Sequence, residues 1–290
     1  MQLAANIIII ASTTLLVGLG FALIYRTTCF FHFAHGIVFA SGAYLAFFLN
    51  NRNGLALAYA IPVAVVLTSA LGCLIEVTIY RPLRRKSSSP LVLLLASLGI
   101  YIVLQNAISM AFGDDTKSIR PNMVAEGINF FGAAITPVQI ITVIISISLL
   151  TAVMMLLKKS TIGTALRAVA NDPVLANISG IDSDRVILWT FAIGSALAGV
   201  AGILVALDVD MTPTMGMNAL MMGIVAMIIG GVGSIPGIVL GALLIGFAQN
   251  FGAWWLSSQW QDAIVFAILL VFLLFRPQGF LGRKVKKAAV

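Results

Sequence analysis

The sequence predicts an all-α, polytopic integral membrane protein with about eight or nine transmembrane helices. Hydrophobic residues make up 60% of the 290 residues and charged residues only 9%, whereas soluble domains carry about 25% charged residues. The mean hydropathy of +1.07 agrees with this class. Apolar runs repeatedly reach the roughly 20 residues that a helix needs to cross a bilayer, while a β-barrel would show short alternating segments. We therefore expect a single transmembrane domain over residues 1–290.

Nine apolar segments follow one another along the chain. The first has no Lys or Arg before it and no small-residue cleavage site after it, so we expect it to stay as an anchor. The second contains Phe-His-Phe-Ala-His-Gly, and the seventh is short and runs into a glycine-rich turn. Either of these two is a candidate for a broken or re-entrant helix, which makes the count eight or nine. The segments cover residues 7–25, 29–49, 55–79, 90–112, 138–157, 186–207, 219–232, 236–252 and 263–275.

Lys and Arg concentrate on one side of the predicted helices. All but three of the 17 basic residues fall in the loops after the first, third and fifth segments or after the last, and the exceptions are Arg52, Lys117 and Arg120. Because short loops rich in Lys and Arg are retained in the cytoplasm, this distribution predicts an amino terminus outside and a carboxyl terminus in the cytoplasm. The net charge of +7 has the same explanation, since such loops lie beside anionic lipid. The basic clusters lack interleaved aromatic residues, which argues against nucleic-acid binding.

Residues 158–185 form a charged island between two long apolar segments, on the predicted cytoplasmic side. Residues 161–170 are rich in helix formers, and Asp172 followed by Pro173 is typical of a capped helix start. A second short helix over 174–179 would end at Gly180, because glycine commonly terminates helices. The pattern predicts a compact knob of two helices, which either receives a soluble partner or lies passively on lipid headgroups.

Polar side chains inside the apolar segments are candidates for a solute path. An amide or imidazole in hydrocarbon is costly unless it faces a partner or a watery cavity. The main examples are His35, Gln105, Asn106, Gln249 and Asn250. Hydrogen bonds between helices, worth about 0.6 kcal/mol each, are the alternative interpretation.

The titratable residues of the apolar segments favour structural roles. His35 and the histidine three positions before it share a helix face, but two ligands make at most half a zinc site, and we expect no bound metal. Glu76 lies near the cytoplasmic end of its segment and is expected to pair with Arg81, Arg84 or Arg26.

A glycine-rich turn over residues 230–237 interrupts the apolar sequence between the seventh and eighth segments. Ser234 is a possible helix N-cap, and a helix that starts there would present amides and a positive dipole end to an anion such as a carboxylate. Gly231, Gly233 and Ser234 are therefore further candidates for the path. Small residues spaced four apart, at 194, 198 and 202 and at 237 and 241, follow the pattern that lets helices pack closely in lipid.

The chain carries no recognisable catalytic or nucleotide-binding motif. A phosphate-binding loop needs Gly-x-x-x-x-Gly-Lys followed by Ser or Thr, and no Gly-Lys pair occurs in the sequence. The apolar segments also lack paired acids, a Ser-Lys or Ser-His constellation and a metal-binding cluster. We therefore expect neither an enzyme nor a cofactor, and any ATP used must be hydrolysed by another chain.

Seven short motifs lie along the chain in a specific order. They are Phe-Ala-His-Gly at 33–36, Tyr-Arg-Pro-Leu-Arg at 80–84, Leu-Gln-Asn at 104–106, Gly-Thr-Ala-Leu-Arg-Ala at 163–168, Gly-Ile-Asp-Ser-Asp-Arg-Val at 180–186, the turn at 230–237 and Arg-Pro-Gln-Gly at 276–279. In this order and spacing they resemble the branched-chain amino acid ABC-transporter permeases of the LivH type, over residues 32–282. The chain departs from that family at His32, where the family usually has Asn, and it lacks the Glu-Ala-Ala signature of other importer classes.

The resemblance implies the ABC importer permease fold and a transport subunit in a bacterial inner membrane. Its implied partners are a second homologous permease, two cytoplasmic ATP-binding subunits and a periplasmic solute-binding protein, and its implied cargo is a branched-chain or neutral amino acid. Residues 158–185 then occupy the place of the loop that couples to an ATPase, with Arg167, Asp172, Pro173 and Gly180 as the candidate coupling residues. A permease of the same type that imports urea or short amides, and an ATP-independent channel or carrier, are the alternatives.

Overall fold

A computed structural model describes residues 1–119, 127–130, 132–255 and 257–282. Arg120 and the basic tail from Arg283 onward entered the prediction of orientation and lie outside the described residues.

The described chain is helical apart from one small hairpin, which the sequence did not predict. Strands β1 (Ile128–Phe130) and β2 (Ala133–Ile135) pair antiparallel. Single π-helical turns, Phe48–Arg52 and Glu76–Tyr80, continue two of the helices. The helices are α1 (Gln2–Thr28), α2 (Ala34–Phe47), α3 (Leu57–Ile75), α4 (Arg81–Arg85), α5 (Pro90–Phe112), α6 (Pro137–Lys159), α7 (Thr161–Asn171), α8 (Pro173–Ile178), α9 (Ser183–Asp208), α10 (Met215–Gly230), α11 (Ile235–Trp255) and α12 (Gln261–Phe275).

The helix pattern confirms the predicted class. Within the described residues, seven stretches are long and apolar enough to cross a membrane, and they contain α1, α3, α5, α6, α9, α11 and α12. The shorter apolar helices α2 and α10 complete the nine predicted segments. These two are the segments that the sequence marked as irregular. Helix α2 begins only at Ala34, inside the Phe-His-Phe-Ala-His-Gly motif, and α10 ends at the glycine-rich turn.

Helices α1 and α9 form the centre of the bundle. Helix α1 packs against α6, α9, α10 and α11, while α9 also contacts α2 and α3. In the apolar 18-residue stretch of α1, 72% of the residues are buried inside the protein. The corresponding share is 17% for α5 and 6% for the stretch that contains α12. Helices α5 and α12 therefore lie at the periphery, where lipid or another protein must cover them.

Glycines bring the backbones of the central helices into direct contact. A Cβ atom built on Gly202 of α9 would overlap the carbonyl oxygen of Phe39 in α2, and one on Gly216 of α10 would overlap that of Gly36. A Cβ on Gly194 would lie 2.8 Å from the carbonyl oxygen of Gly20 in α1. The spacing of small residues in α9 thus correctly predicted close packing, which is the main source of helix association in lipid.

One end of the bundle carries most of the basic residues, and we call it the basic end. Arg26 in the last turn of α1 and Lys158 in the last turn of α6 lie there, next to the turn that precedes α11. At the other end, the side chain of Gln2 bonds the backbone of Ala134 in the hairpin, and Lys117 pairs through its backbone with Met211.

The glycine contacts predict opposite effects of two matched substitutions. Gly202→Ala should lower the melting temperature of the purified chain in detergent, because overpacking a tight contact costs about 1–3 kcal/mol. Gly99→Ala in α5 should leave the melting temperature unchanged or raise it. Apart from the neighbouring backbone of its own helix, no atom lies within 4 Å of the added methyl, and alanine favours helix by up to about 1 kcal/mol. Equal effects of the two substitutions would contradict the packing described.

Candidate coupling and translocation sites

Helix α7 lies directly on the end of α6. Ser160 caps its first turn by accepting a hydrogen bond from the backbone N–H of Gly163 at 2.9 Å. A Cβ atom on Gly163 would overlap the backbone of Leu156 and Leu157, so glycine is what permits this contact. Leu166 and Val169 are buried on the same side of α7. This half of the predicted knob is therefore fixed to the membrane bundle.

Helix α8 begins and ends as the sequence predicted. The Asp172 carboxylate accepts hydrogen bonds from the backbone N–H groups of Val174 and Leu175, at 2.9 and 3.0 Å, and Pro173 occupies the first helical position. Gly180 adopts a φ of 85°, which ends the element and favours glycine. Asp172, Pro173 and Gly180 thus shape the knob.

Two hydrogen bonds tie α8 to the first residue of α9. The backbone N–H of Ser183 donates to the Asn177 side-chain oxygen, and the Ser183 hydroxyl donates to the carbonyl oxygen of Pro173, both at 3.0 Å. A displacement of α8 therefore acts on the start of α9, one of the two central helices.

Helix α8 has an exposed apolar face that was not predicted from the sequence. Val174, Leu175 and Ile178 occupy positions i, i+1 and i+4 and are 67%, 60% and 78% exposed. The sequence pattern could have predicted that three apolar residues share one face of a helix outside the predicted spans. It could not have predicted that they are exposed, because their exposure depends on how α7 and α8 are oriented. Such a face indicates a binding surface for another protein or for lipid.

Asp184, in the first turn of α9, forms ion pairs with three arginines of α4. Its carboxylate lies 3.3 Å from Arg81 Nε, 3.6 Å from Arg84 Nη2 and 2.9 Å from Arg85 Nη2. These ion pairs join the start of α9 to the chain that continues α3. The sequence analysis assigned no role to Asp184, because it lies about 100 residues from its partners.

The predicted partner of Glu76 is Arg84. The Glu76 carboxylate is fully buried and accepts hydrogen bonds from both terminal nitrogens of Arg84, one at 3.0 Å. The π-helical turn that starts at Glu76 also carries Tyr80, whose hydroxyl lies 3.0 Å from His32 Nδ1. Polar contacts therefore run from Asp184 through Arg84 to Glu76. The π-helical turn connects Glu76 through the backbone to the contact between Tyr80 and His32.

His35 lies inside the packed core. Its ring is fully buried, and a Cβ atom on Gly20 would come within 3.1 Å of its Cε1 atom. The His32 and His35 ring centroids are 5.9 Å apart, and no cluster of three or more potential metal ligands occurs among the described residues.

The two amides of α5 lie at the periphery of the bundle. Gln105 is half-buried and Asn106 is exposed, and the Asn106 amide donates to the carbonyl oxygen of Ile102 one turn earlier at 2.8 Å. Ile102 and Val103 are also exposed, as is Met110 one turn after Asn106. These residues form an outward stripe on α5, which we call the α5 stripe.

The glycine-rich turn closes the basic end. Gly231 and Gly233 have φ values of 103° and 86°, and Ser234 accepts a hydrogen bond from the backbone N–H of Gly237 at 3.2 Å, as expected of an N-cap. The segment after α12 packs on this turn, where Phe280 N–H donates to the carbonyl oxygen of Ile229 at 2.8 Å. The turn thus adjoins Arg26 and Lys158 rather than the middle of the bundle.

Comparison with known proteins gives matches over nearly the full length. Residues 3–274 match the family model described as the branched-chain amino acid transport system / permease component. The permease protein BraD of Pseudomonas aeruginosa is 33% identical, over 98% of this chain and 96% of its own length. The permease protein LivH of Escherichia coli K12 is 34% identical over the same shares. Both relatives are named as permeases of high-affinity branched-chain amino acid transport systems.

A solved structure shares the fold. It is PsaBC from Streptococcus pneumoniae in complex with Fab, with a TM-score of 0.54, 12% sequence identity, and coverage of 95% of this chain and 92% of that chain. The arrangement of helices, the seven motifs and the full-length family match agree: the chain belongs to the branched-chain amino acid transport system permease family.

Proposed function

We propose that this chain is the membrane-spanning permease subunit of an ABC importer that moves branched-chain or neutral amino acids into the cytoplasm. Family membership over residues 3–274 supports the transport role, and the exposed apolar face of α8 is the observation that carries the coupling to a separate ATPase. Two ATP-binding subunits, a second homologous permease and a periplasmic solute-binding protein complete the proposed assembly.

The proposed orientation puts the basic end in the cytoplasm of a bacterium, with the amino terminus outside. Arg26, Arg84, Lys158 and Arg167 all lie at this end, together with the knob of α7 and α8. The positive-inside bias supports this orientation, and an ATPase needs access to the knob from the side where ATP is present.

In the proposed mechanism, the ATPases move α8 and the bundle responds through α9. The bonds of Ser183 transmit displacement from α8 to α9, and Asp184 passes it to the arginines of α4. Arg84 joins this network to the buried Glu76 of the π-helical turn. Asp172, Pro173 and Gly180 keep the shape of the knob, while Arg167 on α7 contributes positive charge beside it. The network offers a contiguous route by which ATP binding would shift the helices.

We propose that the solute path follows the α5 stripe, at the contact with the second permease. The centre of the bundle is filled where glycine backbones touch, and His35 is enclosed there. An exposed amide such as Asn106 is costly against lipid tails and therefore calls for water or a polar partner. Gly231, Gly233 and Ser234 are weaker candidates, because they lie at the basic end of the bundle.

Uptake in cells tests the proposed function. Uptake of labelled leucine, alanine and urea is measured in cells with and without this gene, before and after ATP depletion. We expect gene-dependent leucine uptake that is lost when ATP is depleted. If only the uptake of urea depended on the gene, urea would be the cargo instead of an amino acid. Gene-dependent flux that survives ATP depletion would contradict the proposal of an ABC importer and favour a channel or carrier.

The α8 face predicts a docking defect. Ile178→Asp should reduce leucine uptake by about tenfold or more, because burying a charge in an apolar contact without a partner is unfavourable. The ATPase subunits should also be lost from the purified complex. Since Ile178 is 78% exposed, the amount of chain in the membrane should not change. Ile178→Leu is the matched control and should transport normally; normal transport by both variants would refute docking at α8.

The α5 stripe predicts contact with water. In a chain whose Cys29 and Cys73 are replaced by Ser and Ala, Asn106→Cys should react with a water-soluble thiol reagent in the assembled transporter. Ile147→Cys, on an exposed part of α6, should remain unreactive in lipid. Reaction at both positions or at neither would argue against a path along α5.

A further inference from the structure

A cavity of about 500 Å³ lies at the basic end, between α1, α6, α7 and the start of α11. It is separate from the α8 face and from the α5 stripe. Its wall includes Tyr25 and Cys29 near the end of α1 and Asn171 at the end of α7.

Three cationic side chains from three helices line this cavity. They are Arg26 of α1, Lys158 of α6 and Arg167 of α7. None of the described lining residues is acidic. Arg167 is half-buried as a residue, and its guanidinium donates to the Thr164 hydroxyl at 3.1 Å. Positive charge is therefore concentrated in the described wall of the cavity.

The remaining wall combines a helix start with apolar side chains. Helix α11 begins at Ile235, so the positive end of its dipole adds to the three cations. Met154, Leu157, Val232 and Leu281 supply apolar surface next to these charges. Cations that adjoin apolar surface at the end of transmembrane helices match a lipid with an anionic headgroup.

We infer that this cavity binds the phosphate of an anionic phospholipid such as phosphatidylglycerol, with an acyl chain along the apolar wall. A free phosphate would use the cations but not the apolar surface. A zwitterionic amino acid would need an acidic partner for its ammonium group, and the described lining offers none. A zwitterionic lipid such as phosphatidylcholine has the same difficulty. The inference depends neither on the cargo nor on the orientation of the chain.

Lipid at this site would touch α7, the half of the knob that packs against α8, the helix proposed to receive the ATPase. Arg167 lies on α7, which Gly163 holds against α6, so a bound headgroup joins α7 to α1 and α6 by charge. Lipid composition would thereby influence how firmly the knob is attached to the bundle.

Native mass spectrometry of the purified full-length chain tests the site. The chain is loaded with phosphatidylglycerol or phosphatidylcholine, and the retained lipid is counted for wild type, Lys158→Gln and Lys159→Gln. Lys158 lines the cavity and is exposed, whereas its exposed neighbour Lys159 does not line it. We expect selective retention of phosphatidylglycerol, about fivefold lower in Lys158→Gln and unchanged in Lys159→Gln, since each cation near an anionic lipid contributes about 1 kcal/mol.

Two further measurements test whether the bound anion is a lipid headgroup or a soluble molecule. Inorganic phosphate and leucine, each at millimolar concentration, should leave the phosphatidylglycerol bound. Displacement by inorganic phosphate would show that the cavity binds a soluble anion, and displacement by leucine would show that it binds the transported amino acid. Either result would overturn the inference. Equal losses in the two lysine variants, or equal retention of the two lipids, would show diffuse surface charge and also overturn it.

Discussion

The close approach of helix backbones at glycine is the constraint on which the rest of this structure depends. In lipid, the hydrophobic effect does not draw apolar helices together, so packing and hydrogen bonds must do so. Gly20, Gly194, Gly202 and Gly216 place α1, α2, α9 and α10 within reach of one another's carbonyl groups. The resulting block is dense, and it leaves α5 and α12 at the edge, where a partner or lipid must complete the surface.

This block also gives the charged groups of the basic end a fixed support. Asp184 of α9 forms ion pairs with the arginines of α4, and the buried carboxylate of Glu76 accepts a hydrogen bond from Arg84. A buried carboxylate is tolerated because the guanidinium pairs with it through two hydrogen bonds. In the proposed mechanism, the same network connects the knob to the helices that shift, so the contacts that support the bundle would also transmit the movement.

Much of the fold and part of the site followed from the sequence, because the relevant signals are local. The apolar runs, the cap at Asp172, the N-cap at Ser234 and the pairing of Glu76 depend on residues close together in the chain. The central position of α9, the arginine cluster on Asp184 and the exposure of Ile178 depend on tertiary neighbours, and periodicity does not reveal those. The sequence was equally compatible with Asn106 facing a helix of its own chain, and its exposure follows only from the peripheral position of α5.

The most direct test of the account is directional transport in proteoliposomes that contain this chain with the proposed second permease, ATPases and binding protein. Leucine movement is measured with ATP supplied only on the side of α7 and α8, or only on the opposite side. The account predicts that leucine moves toward the knob side and only when ATP is present there. Leucine flux without ATP, or flux driven by ATP from the opposite side, would contradict it.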